Sequence, residues 1–434
     1  MLLFGFFTAA FAIAAVCMPD WNTMFTGLWN ILTSTAKIST NYFSVGGFAG
    51  TFLNMALVAL CSMALFLVFK GTPNNVSTLG FLLTLGFGSW GINVLNIWPT
   101  VLGVILYGLV KKEKLGSLVN AMLFSTGIAP LISELLLRYP STEYIGFNWA
   151  GFGLAMGVGL LIGFILPAGL AHSPKVHKGF DLYSAALPIG MTAFLLNATL
   201  FNTMGLKVDD LSASGSMDVA SQMTANIFCG IVFGLCVIFA FALGCRPKDY
   251  WQLLKDPALV TNFSSTYGNA TFLMNVGVFG LFILGYYNLI GASFNGVTFG
   301  IIFCMLATCN SGSHPANVLP IMLGYVAASL VCGWLAPLTG GNFTLTINAQ
   351  AICVGLCYAN GLSPIADKYG WRYGILAAVL HYLLVTSVPK LHGGFCLYNG
   401  GFTAALICMM LVPELERFFR TKEERKARRL QKQV

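Results

Sequence analysis

Four apolar runs, Val45–Phe69, Trp149–Leu170, Ile227–Gly244 and Phe272–Leu289, each approach the ~20 residues that a helix needs to cross a bilayer. A chain that carries them must hide them from water or sit in lipid, and composition decides between the two. Hydrophobic residues make up 57% and charged residues only 9%, against ~25% charged in a soluble domain. Lipid cannot satisfy backbone N–H and C=O groups, so spanning segments must bond within themselves. The expected fold is all-α, a polytopic transmembrane helical bundle. Leu2–Met18 reads as the first membrane helix, since it lacks the basic leading region and A-x-A site of a signal peptide.

One stretch interrupts this pattern. Thr308–Gly324, T-C-N-S-G-S-H-P-A-N-V-L-P-I-M-L-G, sets Asn310, Ser311, Ser313, His314 and Asn317 between the apolar runs Phe299–Leu306 and Ile321–Leu335. Gly312, Pro315 and Pro320 prevent a continuous helix and free backbone groups. The stretch has an earlier copy: Asn96-Ile-Trp-Pro99-Thr-Val-Leu-Gly103 matches Asn317-Val-Leu-Pro320-Ile-Met-Leu-Gly324 at an offset of 221. Each copy is read as a broken-helix, re-entrant hairpin, and the functional site is expected between them.

The duplication runs further. Trp29-Asn-Ile-Leu32 matches Trp251-Gln-Leu-Leu254, Thr40-Asn41-Tyr42 matches Thr261-Asn262-Phe263, and Thr51-Phe-Leu-Asn54 matches Thr271-Phe-Leu-Met274, which Asn275 follows. Thr126-Gly-Ile-Ala-Pro130 matches Asn360-Gly-Leu-Ser-Pro364, and His177-Lys-Gly-Phe-Asp-Leu-Tyr183 matches His392-Gly-Gly-Phe-Cys-Leu-Tyr398. The organisation expected is a first transmembrane repeat (1–205), a polar connector (206–221), a second repeat (222–416) and a basic cytoplasmic tail (417–434). Each half holds a first helix (2–18; 223–244), a second (45–69; 268–290) and the hairpin (77–110; 296–336). A helix broken before G-x-x-P (116–137; 345–366), a further helix (146–170; 372–388) and a final segment (182–204; 397–414) complete it. This makes about ten full crossings plus two hairpins, or about fourteen short crossings.

Charge sets the relative direction of the halves, because Lys and Arg favour the cytoplasmic side. With an odd number of crossings per half the repeats are inverted. Nineteen of the 23 Lys and Arg then share the cytoplasmic side, including Lys70, Lys111, Lys112, Lys114, Lys175, Lys178, Arg246, Lys248, Lys255, Lys368, Arg372 and the tail. Only Lys37, Arg138, Lys207 and Lys390 fall outside. A parallel arrangement splits the basic clusters between the two sides. The expected place is the cell (inner or plasma) membrane, with both termini cytoplasmic.

The candidate solute-binding residues follow from the hairpins. Asn93, Asn96, His314 and Asn317 hold equivalent positions, beside Asn310, Ser311 and Ser313. Inverted-repeat transporters bind solutes where broken helices present unpaired backbone groups; the bland alternative is that these side chains only cap the breaks. Asn54 and Asn275, within the second helix of each half, serve equally as solute contacts or as interhelical glue. Asp181 and Glu134 are the acids expected at membrane depth and are candidates for proton or sodium coupling. Against that, Asp181 is three residues from Lys178, and Glu134 is four before Arg138, a helical ion-pair spacing. The repeated H-x-G-F-x-L-Y reads as an interfacial aromatic anchor or a binding motif.

Several classes are set aside. No P-loop, H-E-x-x-H or G-x-S-x-G occurs, so no enzyme is expected, and no metal or other cofactor. The twelve cysteines lie mostly in apolar helices, where thiols pack as small apolar groups, and His381 reads as a packed core histidine. The net charge of +8 gathers in the tail, a juxtamembrane segment rather than a nucleic-acid surface.

The segments T-N-Y-F-S-V-G-G-F-A-G-T-F-L-N (40–54), G-I-N-V-L-N-I-W-P-T-V-L-G (91–103) and H-G-G-F-C-L-Y-N-G-G-F (392–402) resemble a family of uncharacterised bacterial polytopic membrane proteins, a domain of unknown function, over nearly the full length. The resemblance brings no substrate. The chain departs from it at Ile92, where the family pattern has Lys, so the resemblance implies no ion site at the first hairpin. The expectation is a secondary transporter of a small polar solute, coupled to protons or sodium. A passive channel, or a membrane-embedded lipid-handling protein or enzyme, is the alternative. Its partners would be the solute and the bilayer, with homo-oligomerisation left open.

Overall fold

A computed structural model of the chain describes residues 1–141, 143–203, 215–257, 259 and 261–431. Most of the expected connector (206–214, with Lys207) and Lys432 lie outside the described residues. Among the described residues all regular structure is helical.

The first half comprises α1 (Leu2–Cys17), α2 (Met24–Leu32), α3 (Tyr42–Val68), α4 (Asn75–Phe87), α5 (Trp98–Lys111), α6 (Val119–Ser125), α7 (Ala129–Arg138), α8 (Trp149–His177) and α9 (Ala186–Asn197). The second comprises α10 (Val219–Ala242), α11 (Pro247–Leu253), α12 (Phe263–Thr266), α13 (Gly268–Leu289), α14 (Gly296–Leu306), α15 (Pro315–Leu338), α16 (Gln350–Ala359), α17 (Ser363–Tyr369), α18 (Trp371–Val385) and α19 (Asn399–Phe418). The tail helix α20 (Lys422–Gln431) follows. Among the described residues six helical stretches are long and apolar enough to cross a membrane, or up to seven if the bent α1–α2 pair forms one span. The larger number of crossings expected from the sequence includes apolar pieces of 10–17 residues, too short to span ~30 Å at 1.5 Å per residue.

The chain turns by 106° between α1 and α2, a bend the apolar pattern does not announce. Glycines settle α2 against α3: a Cβ on Gly27 would stand 2.1 Å from Gly46 O, so only glycine allows this backbone approach.

α4 and α14 form the centre. Every residue from Ser77 to Phe87 and from Gly296 to Leu306 is buried. Each helix starts with a capping box, Asn74 with Ser77 and Asn295 with Thr298, so the first free amides are taken up locally. The two run antiparallel. Ser89 Oγ, beyond the end of α4, donates to Gly296 O at 2.6 Å, whereas Asn310 Nδ2, beyond the end of α14, donates to Thr78 Oγ1 at 3.3 Å. They cross where a Cβ on Gly300 would lie 2.4 Å from Gly86 O, and one on Gly86 2.5 Å from Gly300 O. Phenylalanines from α1, α3, α10 and α14 pack edge to face beside them, as Phe11–Phe303 (5.3 Å between centroids) and Phe43–Phe299 (5.3 Å) show.

Candidate functional site

Breaking an apolar helix leaves carbonyls and amides that lipid cannot bond, and each break carries its own asparagines to take them up. Asn54 Nδ2 donates to Gly88 O (2.8 Å) and Ile92 O (2.9 Å), and its Oδ1 accepts from Val94 N. Asn275 Nδ2 donates to Cys309 O (2.9 Å) and Ser313 O (3.0 Å). Asn96 Oδ1 accepts from Asn93 N, Asn93 Oδ1 accepts from Asn96 N, and Asn96 Nδ2 reaches Gly91 O and Ser133 Oγ. In the second break Asn317 Oδ1 accepts from His314 N, Asn317 N donates to His314 Nδ1, and Asn317 Nδ2 reaches Gly312 O and Asp367 Oδ2. His314 Nε2 lies 3.1 Å from Asp256 O. Asn54, Asn93, Asn96, Asn275 and Asn317 thus hold the backbone of the breaks.

The two breaks do not meet. Because α4 and α14 are antiparallel, residues 89–96 lie at one end of the pair and residues 310–317 at the other. The 13 residues of α4 separate them by ~20 Å. The expectation of one pocket between both breaks is corrected: each break abuts the start of the other half's central helix.

A cavity of about 420 Å³ opens at the end where the second break meets the start of α4. Its polar lining comes from Asn75 on α4, Ser117 and Asn120 around the start of α6, His177 at the end of α8, Asp181 and Ser184 after it, Thr261 before α12, and Ser311 in the break. Asp181 is 2% exposed. Its Oδ1 accepts from Tyr183 N at 2.9 Å, and its Oδ2 has no hydrogen-bond partner. Burial pushes the Asp181 carboxyl up to about 7, against the opposing pull of the Tyr183 amide. Thr261 Oγ1 is likewise buried without a partner, while Thr261 O accepts from Asn75 Nδ2. His177 Nδ1 accepts from Asp181 N, and its Nε2 lies 2.8 Å from Ser184 Oγ. A second chamber, sharing Ser117 and Asn120, adjoins it and is lined by Lys70 and Lys114.

Of the candidate solute-binding and coupling residues named from the sequence, Asp181 and Ser311 line this cavity, together with His177 of the repeated motif. Asn310 caps Ser264 N with its Oδ1 and lines a neighbouring, mostly apolar cavity of about 590 Å³ between α1, α10 and α13. Ser313 Oγ is buried with no partner. Glu134 pairs with Arg138 at 3.4 Å, at the expected helical spacing, and stands apart from the cavity lining. Asn75, Asn120 and Thr261 carry no special sequence signal, except that Thr261 opens the repeated T-N-[YF].

The H-x-G-F-x-L-Y copies are not interfacial anchors. Tyr183 and Tyr398 are both fully buried, and each copy clasps the broken helix of the other half: Leu182 N donates to Gly361 O and Leu397 N to Gly127 O. In the second copy His392 Nε2 lies 2.9 Å from Asn399 Oδ1, and Cys396 occupies the place of Asp181. The charged position therefore exists on one side only. His381 is a packed core histidine as expected, held by Tyr325 Oη and Gly400 O.

No curated protein and no solved structure matches the chain. Residues 21–202 and 246–417 match the profile of one family, described as protein of unknown function (DUF1576), and the chain is a helical membrane protein belonging to that family.

Proposed function

We propose that the protein is a secondary transporter of two inverted repeats, that its hairpins are re-entrant, and that the Asp181 cavity receives a small polar solute. One observation carries this reading: Asp181, a deeply buried acid whose Oδ2 has no partner, lines a cavity at a helix break, and a buried carboxylate of this kind in a channel or carrier is a proton or ion site. The inverted arrangement is supported by the antiparallel α4 and α14 and by the matched bonding of the two breaks. Cytoplasmic termini are supported by the gathering of basic groups at one end. Lys70 and Lys114 line the chamber at the start of α4, Lys178 pairs with Glu416, Lys368 stands over Phe180, and Arg425 donates to Tyr369 O.

The test is flux. Purified protein in sealed proteoliposomes containing a pH-sensitive dye is challenged with a panel of small solutes. A solute that moves protons with the wild type and not with Asp181→Asn supports the reading; solute entry that no ion gradient can drive uphill would make the protein a passive channel.

A further inference from the structure

The atoms left unpartnered in the cavity bear on the charge of what fills it; this step rests on the reading of the cavity as the solute site. Asp181 and Thr261 both line it, and Asp181 Oδ2 and Thr261 Oγ1 are buried without a hydrogen-bond partner. A carboxylate taken out of water is stable only when paired or protonated. Among the described residues no Lys or Arg is paired with it: Lys178 is held by Glu416, and Lys368 Nζ sits 4.9 Å from the centroid of the Phe180 ring. Titratable neighbours are His177 on α8, which accepts the Asp181 N–H through Nδ1, Tyr183 in the same turn, and Cys408 on α19, whose thiol feels the Asp181 charge. The faces of α4, α6, the Thr261 loop and the second break present Asn75, Asn120, Thr261 and Ser311, none of which titrates. Around these polar groups the wall is apolar, with Leu79, Leu118, Phe124, Leu170 and Leu182.

We propose that the cavity binds an organic cation, an ammonium group on a compact apolar body, and that this cation and a proton compete for Asp181, so that the carrier exchanges one for the other. The ammonium N–H groups donate to Asp181 Oδ2 and Thr261 Oγ1, and the body lies against Leu79, Phe124 and Leu170. When the cation enters a protonated site, the carboxyl releases its proton to water and the site keeps its charge. No covalent bond to the solute changes. A carboxyl pushed up to about 7 suits this exchange, since both forms are populated near neutral pH.

The experiment uses the purified full chain in detergent with three probes of one shape: 2-phenylethylammonium, neutral 2-phenylethanol and anionic 3-phenylpropanoate. Binding is followed calorimetrically and proton release with an electrode in weak buffer. The expected result is binding of the ammonium alone. It releases approaching one proton per chain at about pH 6 and almost none at about pH 8.5, where Asp181 is already ionised. Asp181→Asn loses the release and binds roughly tenfold to hundredfold more weakly. Thr261→Val weakens binding several-fold while keeping the release, and it decides the matter if Asp181→Asn does not fold. Binding of 3-phenylpropanoate instead, through the Lys70 and Lys114 chamber, overturns the proposal, as does ammonium binding without proton release. Either result leaves the transport reading standing if another solute drives Asp181-dependent flux; absence of flux with every solute would sink that reading instead.

Discussion

Asn54 and Asn275 make the same two bonds 221 residues apart: one amide group spans the carbonyls of residues 88 and 92, the other those of residues 309 and 313. Both side chains are fully buried, and both stitch a long helix to a broken one. Removing either amide strands two carbonyls in an apolar interior.

Asn54→Ala and Asn275→Ala should each destabilise the protein by about 1–3 kcal/mol, towards the lower figure because bonds between membrane helices average ~0.6 kcal/mol each. The two breaks share no partner, so the double mutant should lose about the sum of the two. Thermal unfolding in detergent checks both statements, and a double mutant far from additive would show that the breaks are coupled.

Gly300→Ala should cost well over 2 kcal/mol or abolish folded yield, because the added Cβ would sit 2.3 Å from the Trp90 ring and 2.4 Å from Gly86 O. Gly285→Ala, on an exposed face of α13 with nothing within 4 Å of the new Cβ, should be neutral or stabilise by up to ~1 kcal/mol. Monodisperse yield and melting temperature separate the two. Equal tolerance would mean that α4 and α14 do not cross at these glycines.

Asp181 gives stability a pH dependence of definite sign. Its carboxyl titrates at about 7 folded against 3.8 for an ordinary aspartate, so between these values the folded state holds a proton that the unfolded chain has lost. Stability from this group is therefore fully present below about pH 4 and falls as pH rises towards 7, by at most ~1.4 kcal/mol per unit. Asp181→Asn should flatten that fall. Melting curves of both proteins from pH 4.5 to 8 measure it, and parallel curves would mean that Asp181 titrates normally.

How much of this was legible in the chain follows from the range of each signal. The breaks were readable because Gly312, Pro315 and Pro320 act on the residues beside them, and the paired asparagines because both copies kept them. Asp181 stood out as an acid in an apolar setting. Which surfaces meet was not readable. The packing of α2 on α3 and the crossing of α4 over α14 depend on single glycines approaching backbone from elsewhere, and glycine is common throughout this chain. The crossing sends the breaks to opposite ends, which is why the pocket expected between Asn96 and Asn317 does not form. The same crossing brings Thr261 and Asn75 to Asp181, residues unremarkable in their own segments.

The most direct test of the account is side-specific labelling at Leu95 and Ala316, exposed residues at matching places in the two breaks. Each is changed to cysteine alone, in a background without other reactive thiols, and treated with a membrane-impermeant maleimide in vesicles of known orientation. The account predicts that Ala316→Cys reacts from the cytoplasmic face and Leu95→Cys from the opposite face. Labelling of both from the same face would contradict the inverted arrangement and remove the cavity from its place at the cytoplasmic end.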